Sequence, residues 1–441
     1  MLLEQSKIFS STFRKFAVTL SALSFLGVQS FFAQVEPLLA QPSQLQAEST
    51  NRVLTLRLPA LRGFYQVGIA SYYLIDSSRK ETYSSEAYDL QTRQLVVTPS
   101  PTDRRELMIN VWYPAKANPK VSTAPYIDTG FALVTADVFG AAFGVSPDLF
   151  TKLVTQAVQT NSIPNASPIQ SKDRYPVVIF SPGFGSTPKW YTSHIEQLVS
   201  HGYIVVGINP TYEAPALFPG GRVLTQSSVF DFSSSSKDTE FRTFNEATVI
   251  RARDVSFVLN ELQRLNRKDP QGLLIGRLDL NRVGISGHSL GANTSVEAMR
   301  IDPRIRAGIS MDCGEYGELL NPKSKQRLNR PLMVMSREKQ EVWSQLLYER
   351  VSGDAYLLRI KGSAHNTFID FGLIFPLFAA NSTVAEPPMK KALGSIESQR
   401  AARIIDDYML AFFDQYLKNK NQTLLRRALP SYPEVLIESR T

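Results

Sequence analysis

Arg282-Val283-Gly284-Ile285-Ser286-Gly287-His288-Ser289-Leu290-Gly291 decides the fold. The first half is a short strand-like run, the second half is G-x-S-x-G, and residues 292–300 suit a helix. Strand, tight turn and helix are the context in which this pentapeptide lifts a serine above the carboxyl edge of a sheet. Gly287 and Gly291 leave out side chains that would collide in so sharp a turn, and Ser289 becomes the candidate nucleophile.

Such an elbow needs a parallel sheet behind it, and the flanking sequence supplies one. Continuous apolar runs at 177–180, 204–208, 283–285, 307–311, 332–335 and 356–360 alternate with helical stretches. Runs apolar on both sides are strands buried on both faces, so a mostly parallel sheet with helices on both faces is expected. One connecting helix carries Val255, Val258, Leu259 and Leu262 at i, i+3, i+4, i+7; another runs over 395–417 with Ile404, Tyr408, Ala411 and Gln415 on one stripe. Upstream, 53–58, 65–75 and 106–113 alternate with Pro, Gly and Ser and predict antiparallel N-terminal strands. Residues 131–158 are apolar and helix-like, either a lid or one more packed helix pair, and 213–240 predict an irregular loop.

Serine is a weak nucleophile without a base, and this architecture orders the partners Ser, Asp or Glu, His. The chain has four histidines. His194 lies in an amphipathic helix with Ile195 and Leu198, His201 stands at that helix's end, and His288 is expected to point away from the serine. His365 alone lies downstream, in the loop after 356–360, and is the candidate base. Asp312, at the end of the strand 306–311, is the preferred acid; Glu338 and Asp370 are the alternatives. Backbone donors for the developing oxyanion are expected from Leu290 and from the loop Ser181-Pro182-Gly183-Phe184-Gly185-Ser186. Pro182 has no N–H, so Phe184 is the preferred second donor, with a plain glycine turn between strand and helix as the alternative reading of the loop.

Composition bounds the rest. The 441 residues are 43% hydrophobic and 20% charged, with 24 Gly and 26 Pro, which describes an ordinary globular chain and excludes disordered, collagenous or multi-span classes. The net charge of +8 favours anionic surfaces, but no basic run interleaved with aromatics marks a nucleic-acid partner. One cysteine, Cys313, excludes an internal disulfide and, with so few histidines, a Cys/His zinc site. Lys7, Arg14 and Lys15 before the nearly uncharged stretch 16–33 have the layout of a secretory signal peptide, with an uncleaved membrane anchor or a cytosolic apolar start as alternatives. A flexible linker, 34–50, follows. Sequons begin at Asn165, Asn293, Asn381 and Asn421.

With these residues in place the chain resembles the plasma and intracellular type II platelet-activating factor acetylhydrolases, an α/β-hydrolase branch near the dienelactone hydrolases. The resemblance spans about 58–417. It rests on Val111-Trp112-Tyr113-Pro114-Ala115, the 181–186 loop followed by His201-Gly202-Tyr203, the elbow, Asp312, and His365-Asn366-Thr367-Phe368-Ile369-Asp370-Phe371. It implies Ser289, Asp312 and His365 as nucleophile, acid and base, Phe184 and Leu290 as oxyanion donors, and no metal or other cofactor. The implied activity is removal of short or oxidised acyl chains from phospholipids. The chain departs from the family in carrying Pro182-Gly183 where members commonly have His-Gly. A general carboxylesterase, a polyester or dienelactone-type hydrolase, acyl transfer, and a non-catalytic lipid-binding protein on the same fold are the alternatives. The implied organisation is a hydrolase domain over 51–420 and a tail over 421–441. Peripheral lipid-surface contact would fall to 131–158 or 372–380.

Overall fold

The computed structural model describes residues 55–84, 87–89, 94–96, 102–117, 120–171, 173–233, 235–338 and 342–441. The leader and linker expected at 1–33 and 34–50 lie outside them. A ten-stranded sheet runs through the middle. Its strands are Gln66–Lys80 (β1), Arg104–Ala115 (β2), Ser162–Pro164 (β3), Tyr175–Ser181 (β4), Ile204–Ile208 (β5), Leu278–His288 (β6), Ile305–Met311 (β7), Leu332–Arg337 (β8), Ala355–Ile360 (β9) and Val435–Arg440 (β10). They lie in the order β10-β9-β8-β7-β6-β4-β5-β2-β1-β3. From β5 to β9 every neighbouring pair is parallel. The N-terminal β1 and β2 pair antiparallel, and β2 is antiparallel to β5.

The helices are Thr129–Phe143 (α1), Pro147–Lys152 (α2), Thr192–Ser200 (α3), Lys237–Leu265 (α4), Leu290–Ile301 (α5), Val342–Arg350 (α6), Phe371–Ala379 (α7), Pro388–Ala392 (α8) and Ser398–Lys418 (α9). Alternation along each strand divides the core into two layers. On β4, Val178 and Phe180 face the layer built with α1, α3, α7 and α9, whereas Val177 and Ile179 face the one built with α4, α5 and α6. Helices therefore cover both faces, which is why these strands read as unbroken apolar runs.

Two segments differ from the simple sequence picture, and a third takes the packed one of its two readings. Residues 421–441, expected as a tail, supply β10, which closes the sheet antiparallel to β9. Only Val435 of that strand is deeply buried, and its apolar run, Val435-Leu436-Ile437, is short and gives way to Glu438-Ser439-Arg440. Residues 213–240 hold two short strands, Ala216–Leu217 and Arg222–Leu224, in a separate small sheet before α4 begins. Residues 131–158 are packed: Phe143 stacks on Phe378 at 4.3 Å, and Phe150 is buried beside them. The exposed positions of α1 and α2 include Asp137, Asp148 and Lys152, while Leu133, Val134, Val138, Phe139 and Leu149 are partly buried. On α7, Phe371, Ile374, Leu377 and Phe378 are buried, and Gly372, Leu373, Phe375, Pro376 and Ala379 are partly or fully exposed. The sequon residue Asn293 is also buried, with its amide spent on the carbonyls of Gly314 and Tyr316.

Candidate active site

The carboxyl edge of the parallel strands collects the residues that the sequence singles out. Ser289 is the first residue past β6, with φ 56° and ψ −123°, a left-handed region that a side chain enters only at a cost of about 1–3 kcal/mol. The surroundings enforce that geometry. Its N–H donates to the Met311 carbonyl at 2.9 Å, which extends the ladder to β7. A Cβ on Gly287 would sit 2.1 Å from the Gly291 carbonyl oxygen, and one on Gly291 would sit 2.0 Å from the Ser181 carbonyl oxygen. Both positions therefore exclude a side chain.

Asp312 repeats the device one strand over. It is the first residue past β7, has φ 49°, and donates its N–H to the Met335 carbonyl on β8 at 2.8 Å. Adjacent strands lie about 4.8 Å apart, so the ends of β6 and β7 place Ser289 and Asp312 side by side. His365 arrives from the loop after β9, and its Nδ1 is 2.5 Å from Asp312 Oδ2. Arg337, at the end of β8, places Nε 3.2 Å from the same carboxylate. Burial alone would raise the Asp312 pKa, but the His365 hydrogen bond and the neighbouring Arg337 guanidinium hold it at about 2. Among the described residues no group is hydrogen-bonded to the Ser289 hydroxyl.

The alternative acids are engaged elsewhere. Glu338 accepts the Gly362 N–H at 2.9 Å. Asp370 accepts the Ser193 N–H at 3.1 Å, the Ser193 hydroxyl, and the Tyr126 hydroxyl at 3.2 Å. It thereby fastens the His365 loop to the first turn of α3. Of the other histidines, His194 pairs with Asp406 at 2.6 Å and His201 closes α3 by bonding the Gln197 carbonyl at 2.8 Å. Cys313 is buried, and burial pushes its thiol up to about 12.

The 181–186 loop approaches the serine from β4. A Cβ on Gly183 would lie 3.4 Å from Ser289 Cβ, so the backbone here passes directly over Ser289. Among the described residues neither the Phe184 nor the Leu290 N–H has a hydrogen-bond acceptor, which leaves two backbone donors free beside Ser289. The Phe184 ring packs on Phe230 at 5.3 Å and Phe244 at 4.9 Å, next to buried Leu290 and Tyr316. An aromatic wall thus borders the loop.

Two supports escaped the sequence reading. Arg251 of α4 donates Nη1 to the Pro182 carbonyl at 2.7 Å and is paired with buried Glu213 at 2.6 Å. His288, expected only to avoid the serine, has its ring 4.5 Å from that of His365 and bonds both Tyr191 and the His365 backbone. The sequence signals are weak: an arginine at an inward position of a long helix, and a histidine hidden inside the elbow motif. Ligand atoms of His288, Asp312 and His365 lie within 4.8 Å of one another, a spacing that would suit a cation. Both His288 nitrogens are nevertheless occupied, and Asp312 is shared between His365 and Arg337, so the donors are spent on each other.

A family model described as platelet-activating factor acetylhydrolase, isoform II, matches residues 53–426. A probable 1-alkyl-2-acetylglycerophosphocholine esterase of Arthroderma benhamiae is 28% identical over 272 residues, 59% of this chain and 65% of its own length. A platelet-activating factor acetylhydrolase of Cavia porcellus is 28% identical over 282 residues, 57% of this chain and 59% of its own. These alignments cover less than two thirds of each relative. Among solved structures, a ferulic acid esterase from Streptomyces cinnamoneus superposes with a TM-score of 0.65 at 26% identity, covering 87% of this chain and 99% of that one.

Proposed function

The chain belongs to the platelet-activating factor acetylhydrolase isoform II family, and from that premise we propose that it is a serine carboxylic ester hydrolase acting through Ser289, His365 and Asp312. The observation that carries this reading is the His365–Asp312 bond of 2.5 Å beside a serine on a strained elbow, with two unused N–H groups next to it. His365 Nε2 takes the Ser289 proton as the oxygen attacks the ester carbonyl. The carbonyl electrons move onto an oxyanion held by the Phe184 and Leu290 N–H groups, each worth about 3 kcal/mol in comparable sites. Collapse expels the alcohol, which takes the proton from His365. Water, activated by the same imidazole, then releases the acid and restores Ser289. Asp312, ionised far below neutral pH, holds the reactive tautomer and stabilises the imidazolium. Every group in this cycle belongs to the chain, so no cofactor is invoked. The Ser289 to His365 hydrogen bond forms as substrate fills the site, as is common where the free enzyme is looser.

The preferred substrates are short-acyl glycerophospholipid esters, as the names of the relatives suggest. A second reading, an aryl or general esterase, is favoured by the aromatic wall of Phe184, Phe230 and Phe244 and by the ferulic acid esterase neighbour. A panel of short-acyl phosphatidylcholine, p-nitrophenyl esters, a hydroxycinnamate ester and a polyester film, read by mass spectrometry with Ser289→Ala as blank, separates them. Preferential release of the short sn-2 acyl group supports the first; release from the aryl esters alone overturns it. The basic and apolar leader supports export to the periplasm or beyond, with a retained anchor as the alternative. Fractionation of cells expressing the full chain, with intact-mass measurement of its N-terminus, distinguishes them.

A further inference from the structure

His288 is buried beside the elbow, and its two ring nitrogens make different bonds. Nε2 lies 3.1 Å from the backbone carbonyl of His365, and Nδ1 lies 2.8 Å from the Tyr191 hydroxyl. Tyr191 Oη in turn accepts the Gly183 N–H at 3.1 Å. Direction is set by the groups that have no choice. A carbonyl only accepts, so His288 Nε2 must carry a hydrogen. Burial and the neighbouring His365 keep the His288 imidazole neutral, so it has no second hydrogen and Nδ1 must accept. Tyr191 therefore spends its one hydrogen on Nδ1 and receives that of Gly183. The result is an oriented chain: Gly183 N–H to Tyr191 O–H to His288 Nδ1, then His288 Nε2–H to the His365 carbonyl.

The two ends of this chain lie on the two loops that frame Ser289. Gly183 adjoins Phe184, an oxyanion donor, and His365 is the base. Neither His288 nor Tyr191 is placed to exchange a proton with substrate. A Cβ on Gly183 would meet Tyr191 Oη at 3.3 Å, His288 Nδ1 at 3.4 Å and Ser289 Cβ at 3.4 Å, so the chain crosses the site at the level of the nucleophile. The ring of Phe368, from the same turn as His365, stacks on His288 at 5.9 Å and keeps the imidazole from swinging.

We propose that Tyr191 and His288 are positioning residues, a strut locked in one tautomer that fixes the oxyanion loop and the His365 loop against each other across Ser289. This rests on the hydrolase reading above and adds to it how two loops from distant strands keep a common register. A misplacement of about 1 Å in such a site costs on the order of 100-fold in rate. The strut therefore acts on turnover and on transition-state binding more than on ground-state binding.

The test compares Tyr191→Phe, His288→Asn, which keeps an acceptor near the Nδ1 position but loses the tie to His365, and the double variant. Active sites are counted by fluorophosphonate titration, so unfolded protein does not enter the rate, and labelling of the wild type at Ser289 tests the hydrolase reading separately. Each single variant is expected to lose about 10- to 100-fold in kcat on a soluble acetyl ester, with KM within about twofold, and to bind a trifluoromethyl ketone more weakly by the same factor. Because both residues serve one chain, the double variant loses little more than the worse single one. Unchanged kcat per titrated site, or losses that simply multiply, overturns the proposal. Nitrogen-15 spectra of the wild type give a second reading that needs no variant to fold. His288 protonated at Nε2 and bare at Nδ1 agrees with the strut; a hydrogen on Nδ1 contradicts it.

Discussion

Replacing Asp312 by Asn removes one charge while keeping the shape of the side chain, and the structure allows its cost to be worked out. The carboxylate is fully buried and 2.5 Å from His365 Nδ1, which places the two charge centres roughly 4 Å apart once the imidazole is protonated. At an effective dielectric of about 20, two unit charges at that distance are worth about 4 kcal/mol, and 1.36 kcal/mol is a factor of ten. The electrostatic loss alone is then about a thousandfold in kcat. An amide that turns its NH2 toward the ring also imposes the wrong tautomer, which brings the loss to about ten-thousandfold in an analogous triad. The assay is kcat and KM on p-nitrophenyl acetate, corrected for folded fraction by circular dichroism, because Arg337 loses its ionised partner as well. Glu338→Gln is the control and is expected to stay within a few-fold of wild type, since that carboxylate only caps the Gly362 N–H. A loss below tenfold for Asp312→Asn, or an equal loss for Glu338→Gln, refutes the assignment of the acid.

Burial holds Glu196 at about 7 and Asp370 at about 6, whereas both ionise near 4 once unfolded. Between those values the unfolded state binds fewer protons, so stability falls as pH rises from about 4 to about 7, and Glu196→Gln should flatten melting temperature against pH over that window. Asp312 works in the opposite sense: its depressed pKa contributes stability above about 3.8 that is lost as pH falls towards 2. Gly291→Ala should give little soluble protein, because its Cβ would overlap backbone at Ser181. Phe378→Ala should cost about 3–5 kcal/mol in urea unfolding, as a buried ring whose loss leaves a cavity, whereas Phe375→Ser, at a partly buried ring on the edge of the same cluster, should cost less. If the protein works at a lipid surface through α7, Phe375→Ser and not Phe378→Ala weakens vesicle binding by the folded protein.

The elbow and its sheet were legible because they rest on local chemistry: glycines where a Cβ would strike backbone, and apolar runs where strands are covered on both faces. His365 followed from order along the chain and Asp312 from its place at a strand end. What stayed hidden depends on contacts between distant residues. Nothing near His288 in sequence announces Tyr191, 97 positions away, or the carbonyl of His365. Arg251 lies 69 positions from the carbonyl it holds at Pro182. Strand β10 is hidden for another reason: as an edge strand it is mostly exposed, and its apolar run of three residues before Glu438-Ser439-Arg440 is too short to stand out from a tail. The 131–158 insertion could be read as helical, but whether it faced solvent or core depended on the stacking of Phe143 and Phe150 against α7.

The most direct measurement is the site of covalent capture. Full-length protein treated with a fluorophosphonate, digested and sequenced by mass spectrometry should carry one phosphonyl group per molecule, on the peptide containing Ser289. Capture should collapse in Ser289→Ala and slow by orders of magnitude in His365→Ala. Labelling that persists undiminished without the Ser289 hydroxyl would mean that the chain's ester chemistry is carried out elsewhere.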